Sequence, residues 1–205
     1  MKEDIHTKKN IYAKKEGIFQ GNEIGFQKVC QQQLPKILEH KNSKLNVYFC
    51  EALLTSYLGD VKPDLFAIAE DYSYFCIIEV ETSNHDFIRH VFNQMEKITN
   101  ADYELSEKLI FNDLCKRNRK FTENNRDKFQ KMIHSVDPEY LVVSDNHILF
   151  WQTELAKIKV RYMSISSYSN SFNIPCYKVI QGPKIQEKAI YRIEWRHFYF
   201  AFFIS

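Results

Sequence analysis

The sequence predicts an α/β fold, a mixed central β-sheet flanked by helices. Three observations predict it. A helical stretch beginning near residue 22 is followed by three segments of strand composition, a second helical stretch and then further strands. The segment around Glu79 is apolar on both faces, with Phe75 and Ile77 on one and Cys76, Ile78 and Val80 on the other, which marks a covered central strand. The 205 residues are 44% hydrophobic and 15% aromatic, enough to collapse around a core.

Taken in order, residues 1–20 are basic and weakly patterned and read as an arm or an edge strand. Asn22 has the side chain of a helix cap, and Glu23 follows where a carboxylate suits the helix dipole. Ile24, Val29, Cys30, Ile37 and Leu38 roughly follow a 3.6-residue period, interrupted at Pro35, and this helix is expected to end between His40 and Asn42. Residues 45–58, dense in Val, Tyr, Phe and Leu, read as a strand, as do 66–69 and 74–81, the last two joined at Asp71-Tyr72-Ser73. Asn84 is the expected cap of a second helix whose apolar face is Phe87, Ile88, Val91, Phe92, Met95 and Ile98. Residues 105–134 are helical in pattern and rich in charge. Residues 140–144 and 148–151 read as a hairpin across Asp145-Asn146, and 160–165, 177–180 and 190–195 as weaker strands. The chain thus divides into an arm (1–20), a core (21–155) and a β-rich extension (156–205), the last either separate or part of the same domain.

Composition excludes several classes. Five Gly and five Pro argue against collagen-like or low-complexity architecture. Five widely spaced cysteines without a CxxC pair form neither a disulfide framework nor a zinc cluster, and point to a reducing cytoplasm. The charged start Met1-Lys2-Glu3-Asp4 predicts no signal peptide. The longest apolar run, residues 198–204, is far short of the roughly 20 residues that span a bilayer. It reads as a buried last strand or an exposed edge through which a homodimer could form. A net charge of +2 leaves any polyanion contact to local clusters. The densest, Lys116, Arg117, Arg119, Lys120, Arg126, Lys128 and Lys131, either tracks a phosphate backbone or is a solvated helical face balanced by Glu123 and Asp127.

The chemistry concentrates in Lys62-Pro63-Asp64-Leu65-Phe66 and Cys76-Ile77-Ile78-Glu79-Val80-Glu81. If Asp71 and Tyr72 centre a tight turn, residues whose numbers total 143 face each other, and Asp64 stands opposite Glu79. Glu81 lies two residues on and shares that face. Three carboxylates on a covered strand repel one another and lose hydration. A hard divalent cation with oxygen ligands compensates directly, so the patch reads as a Mg2+ or Mn2+ site.

This pattern resembles the PD-(D/E)XK nuclease superfamily over roughly residues 20–150. The resemblance implies a restriction endonuclease-like fold and a metal-dependent nuclease acting on DNA rather than RNA, in restriction, repair or antiphage and mobile-element defence. It implies Asp64 and Glu79 as metal ligands, the Val80 carbonyl as another, and Glu23 as an additional acid, with Glu39 and Glu51 competing for that role. Gln94 corresponds to a supporting Gln on the following helix. One position departs, since Glu81 stands where the family has Lys. Glu81 then acts as base or second-metal ligand, or the positive charge comes from the helix bearing Arg89, His90 and Lys97, or the exchange abolishes catalysis. In the last case the chain is an inactive member of the fold that binds DNA or protein. His85 reads equally well as part of a helix cap.

Overall fold

The computed structural model of this chain describes residues 4–6, 11–14, 22–38, 43–169, 175–181 and 186–192. They build a nine-stranded mixed sheet with helices on both faces. Its strands are β1 (Asp4–His6), β2 (Ile11–Lys14), β3 (Leu45–Phe49), β4 (Leu65–Ala69), β5 (Phe75–Glu81), β6 (Glu139–Ser144), β7 (Arg161–Ser169), β8 (Pro175–Gln181) and β9 (Gln186–Arg192). β3, β4 and β5 form an antiparallel meander, β5, β6 and β7 run parallel, and β8 and β9 continue antiparallel beyond β7. β2 pairs with the far end of β7 and carries β1. The arm and the extension therefore contribute their described strands to the same sheet as the core.

Helix α1 (Glu23–Ile37) opens at the expected cap, where Asn22 Oδ1 accepts the Gly25 amide at 3.0 Å. It runs through Pro35 and buries Phe26, Cys30, Leu34 and Ile37, one stripe at i, i+4, i+8 and i+11. It stops at Leu38, earlier than expected, and Ile24 faces solvent; residues 39–42 lie outside the described residues. The β4–β5 hairpin has the expected register, with Leu65 opposite Ile78 and Phe66 opposite Ile77. Its loop, residues 70–73, turns through a left-handed Tyr72 (φ 59°), and Asp71 Oδ1 accepts the Ser73 amide.

Between β5 and β6 the chain crosses over through α2, α3 (Tyr103–Arg117) and α4 (Arg126–Ser135). α2 starts as a π-helical segment, Phe87–Phe92, and continues as α-helix over Asn93–Thr99. Its cap is Asp86, whose Oδ1 accepts the Arg89 amide at 2.9 Å. Asn84 is not the cap, because its side chain is occupied by the Thr82 hydroxyl. These helices cover the sheet face that carries Phe66, Phe75 and Ile77, while α1 covers the face of Leu65, Ile78 and Val80.

Two expected elements differ. The strand expected over residues 45–58 ends at Phe49, because Phe49 opposite Leu65 exhausts β4 as a partner. Beyond it the chain makes isolated bridges only, Leu54 to Val61 and Ser56 to Ala101, and leaves Tyr57 exposed. The hairpin expected across Asp145-Asn146 is absent. Residues 148–151 enter α5 (Leu149–Lys157), which buries Trp151 and Leu155 at helical spacing. The short apolar run concealed a 3.6-residue period. Of the expected strand over 190–195, residues 193–195 lie outside the described residues, as does the 198–204 tail. Cys30, Cys50, Cys76 and Cys115 are free thiols. Among the described residues no helix is long and apolar enough to cross a membrane.

Candidate metal centre

The acidic residues gather where β5 ends. In open α/β sheets ligands bind beyond the carboxyl ends of parallel strands, and β5 is parallel to β6. Glu79 and Glu81 belong to the last turn of the pleat, on the face shared by Phe75 and Ile77. Asp64 immediately precedes β4, and one further step of the hairpin register sets it against Glu79. The facing carboxylates expected from residue numbering are therefore present.

Each acid is held by a specific donor. Asp64 Oδ2 accepts the Val80 amide at 2.9 Å, and Oδ1 accepts Gln27 Nε2 from α1 at 2.7 Å. Gln27 Nε2 also lies 3.3 Å from Glu23 Oε1, which brings the start of α1 to the cluster. Glu79 Oε2 accepts Gln94 Nε2 at 2.7 Å, while Glu79 Oε1 is buried with no hydrogen-bond partner. Glu81 Oε2 lies 2.5 Å from His85 Nδ1 and Oε1 lies 3.4 Å from His90 Nε2. His85 Nε2 in turn faces Glu23 Oε2 at 3.7 Å.

Burial dominates the electrostatics. Glu79 is 1% and Glu81 2% exposed. Burial pushes the Asp64 carboxyl up to about 7; the Val80 amide opposes this, and the charge of Glu23 adds to it. Burial, then the charges of Asp64 and Glu81, raises Glu79 far above the ordinary carboxylate range. Glu81 is pushed up to about 8 by burial, against the pull of His90 and with the charges of Asp64 and Glu23. Among the described residues no Lys or Arg forms an ion pair with any of the three. Asp64 and Glu79 stand close enough to share a proton, and one buried Glu79 oxygen has no other donor among the described residues. A cation with oxygen ligands fits that donor set.

No protein-family model, curated protein or solved structure matches this chain.

Of the residues singled out in the sequence, Asp64, Glu79, Glu81, Glu23 and Gln94 come together, and Val80 reaches them through its amide, which donates to Asp64. Lys97 does not, because its ammonium lies beside Gly59, the left-handed residue (φ 105°) of the loop before β4. Glu51 is engaged by Arg117 at 2.6 Å, and Glu39 lies outside the described residues. His85 also reaches the cluster. It follows Glu81 by four residues and turns back onto it, a spacing visible in the sequence but ascribed there to capping. His90 reaches Glu81 from the π-helical turn, a device that regular helical spacing conceals and that often marks functional sites.

The basic run is partly neutralised. Arg117 pairs with Asp113 and Glu51, and Arg126 pairs with Glu123 while stacking 4.1 Å over Phe111. Lys116, Arg119, Lys120, Lys128 and Lys131 remain exposed. Arg117, Arg119 and Lys120 line an open groove with Gln31 and Gln32 of α1. Gln31 lies one helical turn beyond Gln27, so α1 connects this groove to the acidic cluster.

Proposed function

We propose that this chain is a divalent-metal-dependent nuclease of restriction endonuclease-like fold that hydrolyses phosphodiester bonds in DNA. The observation that carries this reading is the convergence of Asp64 with the buried Glu79 and Glu81 at the end of β5. Among the described residues the three acids have no Lys or Arg partner, and one Glu79 oxygen is unsatisfied. Asp64 and Glu79, with the Val80 carbonyl, would hold Mg2+ or Mn2+. The ion supplies Lewis-acid stabilisation of phosphate charge and a lowered pKa for attacking water.

The protein supplies position. Gln27 and the Val80 amide fix the Asp64 carboxylate, and Gln94 fixes Glu79, so neither acid must be ordered when substrate arrives. Glu81, contacted by His85 and His90, follows Glu79 by two residues on the same strand face and would serve as base or as ligand of a second metal ion. The groove of Arg119 and Lys120 one turn along α1 suits the backbone of a nucleic acid rather than a small phosphate ester.

Incubation of supercoiled plasmid with Mg2+ or Mn2+ tests this reading. The protein should nick or linearise the plasmid, and Asp64→Ala and Glu79→Ala should not. A second reading, favoured by Glu81 in place of the motif Lys, keeps the fold and the DNA contact without cleavage. It predicts that Mg2+ raises the melting temperature, that Asp64→Ala removes this rise, and that plasmid stays intact.

A further inference from the structure

We propose that Glu81, His85 and His90 form a second cation site, chemically distinct from the first, that takes a borderline transition metal such as Zn2+ or Co2+ rather than Mg2+. One ligand atom from each of the three lies within 4.8 Å of the others. Metal bonds to imidazole are about 2.0–2.1 Å, so donors around one tetrahedral ion stand roughly 3.4 Å apart. Glu81 Oε1 and His90 Nε2 are already 3.4 Å apart. The His85 contact, at 2.5 Å, needs only to open, and the two rings sit edge to face with centroids 4.7 Å apart. His85 and His90 are 31% and 51% exposed and can rotate, whereas the Glu81 carboxylate is 3% exposed and fixed.

The remaining surroundings point the same way. Glu23 Oε2 stands 3.7 Å from His85 Nε2, the ring nitrogen turned away from Glu81, where a carboxylate can orient the ring. The π-helical opening of α2 brings His90 to a carboxylate that its neighbours on regular helical spacing would miss. Two imidazoles with one carboxylate suit the softer divalent ions, whereas Mg2+ demands oxygen ligands. The role of this ion, though not its binding, rests on the nuclease reading. There it supplies the positive charge that the motif Lys supplies elsewhere, at the position where this chain has Glu81.

The test follows imidazole nitrogen resonances of the full chain by NMR, assigned through His85→Ala and His90→Ala, while Zn2+ or Mg2+ is added. The expected result is that Zn2+ shifts both His85 and His90, that Mg2+ shifts neither, and that either His→Ala variant lowers Zn2+ affinity by more than the roughly 10- to 100-fold that loss of an outer partner costs. Asp64→Asn should leave the Zn2+ shifts in place. Zn2+ shifts confined to other histidines, or abolished in Asp64→Asn, would overturn the second site. A plasmid left uncut by the protein while the Zn2+ shifts persist removes the nuclease reading and leaves this site standing.

Discussion

The two ends of the β4–β5 hairpin carry aspartates in opposite circumstances. At the loop, Asp71 is exposed and accepts hydrogen bonds from the Ser73 amide, the Ser73 hydroxyl and the Ser43 hydroxyl. Those donors hold its carboxyl below the ordinary range. At the other end Asp64 is half-buried beside Glu79, and its loss of hydration pushes it up to about 7. Asp71 is a turn residue whose charge is met by local donors, so nothing is left for a ligand to do. Asp64 sits among like charges whose repulsion the fold tolerates without relieving. A carboxylate of the second kind is a candidate place for something else to bind.

The difference is sharpest in activity. Asp64→Asn should lower Mg2+-dependent plasmid cleavage at least about 10^3-fold, the scale of several kcal/mol of transition-state stabilisation. Asp71→Asn should leave cleavage unchanged, as gel assays of both variants would show. Next in size is the support of Glu79. Gln94→Ala removes its donor at 2.7 Å and should weaken Mg2+ affinity or cleavage by about 10- to 100-fold, measurable by calorimetric titration and initial rates. Smaller again is the effect of the groove. Arg119→Glu with Lys120→Glu should weaken DNA binding uniformly across sequences and reduce the salt slope by about one for each phosphate no longer neutralised, as fluorescence anisotropy at several salt concentrations would reveal.

Stability distinguishes the same two aspartates by sign. Asp64 and Glu81 ionise near 4 in the unfolded chain but near 7 and 8 in the fold, so between those pH values the folded state holds more protons. Stability of the metal-free protein should therefore fall as pH rises from about 4 to about 8. In Asp64→Asn that fall should be shallower and the melting temperature at neutral pH higher. Asp71 works the other way, adding stability above its unfolded pKa and losing it in acid. Asp71→Ala should slightly lower the melting temperature at neutral pH. Thermal unfolding across pH, with and without substitution, resolves all four expectations.

Much of the site was legible because it rests on strand arithmetic. Pleat alternation and a hairpin centred on Asp71 and Tyr72 suffice to face Asp64 with Glu79 and align Glu81. Asn22, Glu23 and Gln94 follow from capping and helical spacing. What escaped depends on tertiary context. The strand after Phe49 ends for want of a partner, which a local window cannot show. Residues 148–151 are apolar in a way that suits strand or helix, and only the burial of Trp151 with Leu155 decides. His85 and His90 converge because Asp86, not Asn84, starts α2 and because its first turn is widened.

Thermal unfolding at neutral pH of the wild type and Glu79→Gln, each with and without Mg2+, addresses the acidic cluster most directly. Glu79→Gln removes a fully buried carboxyl group that must hold a proton in the metal-free fold, and it keeps the shape of the side chain. Without the ion the variant should melt above the wild type. With Mg2+ the wild type should rise and the variant should not. A wild type that Mg2+ leaves unmoved, beside a variant that melts no higher, would contradict the account.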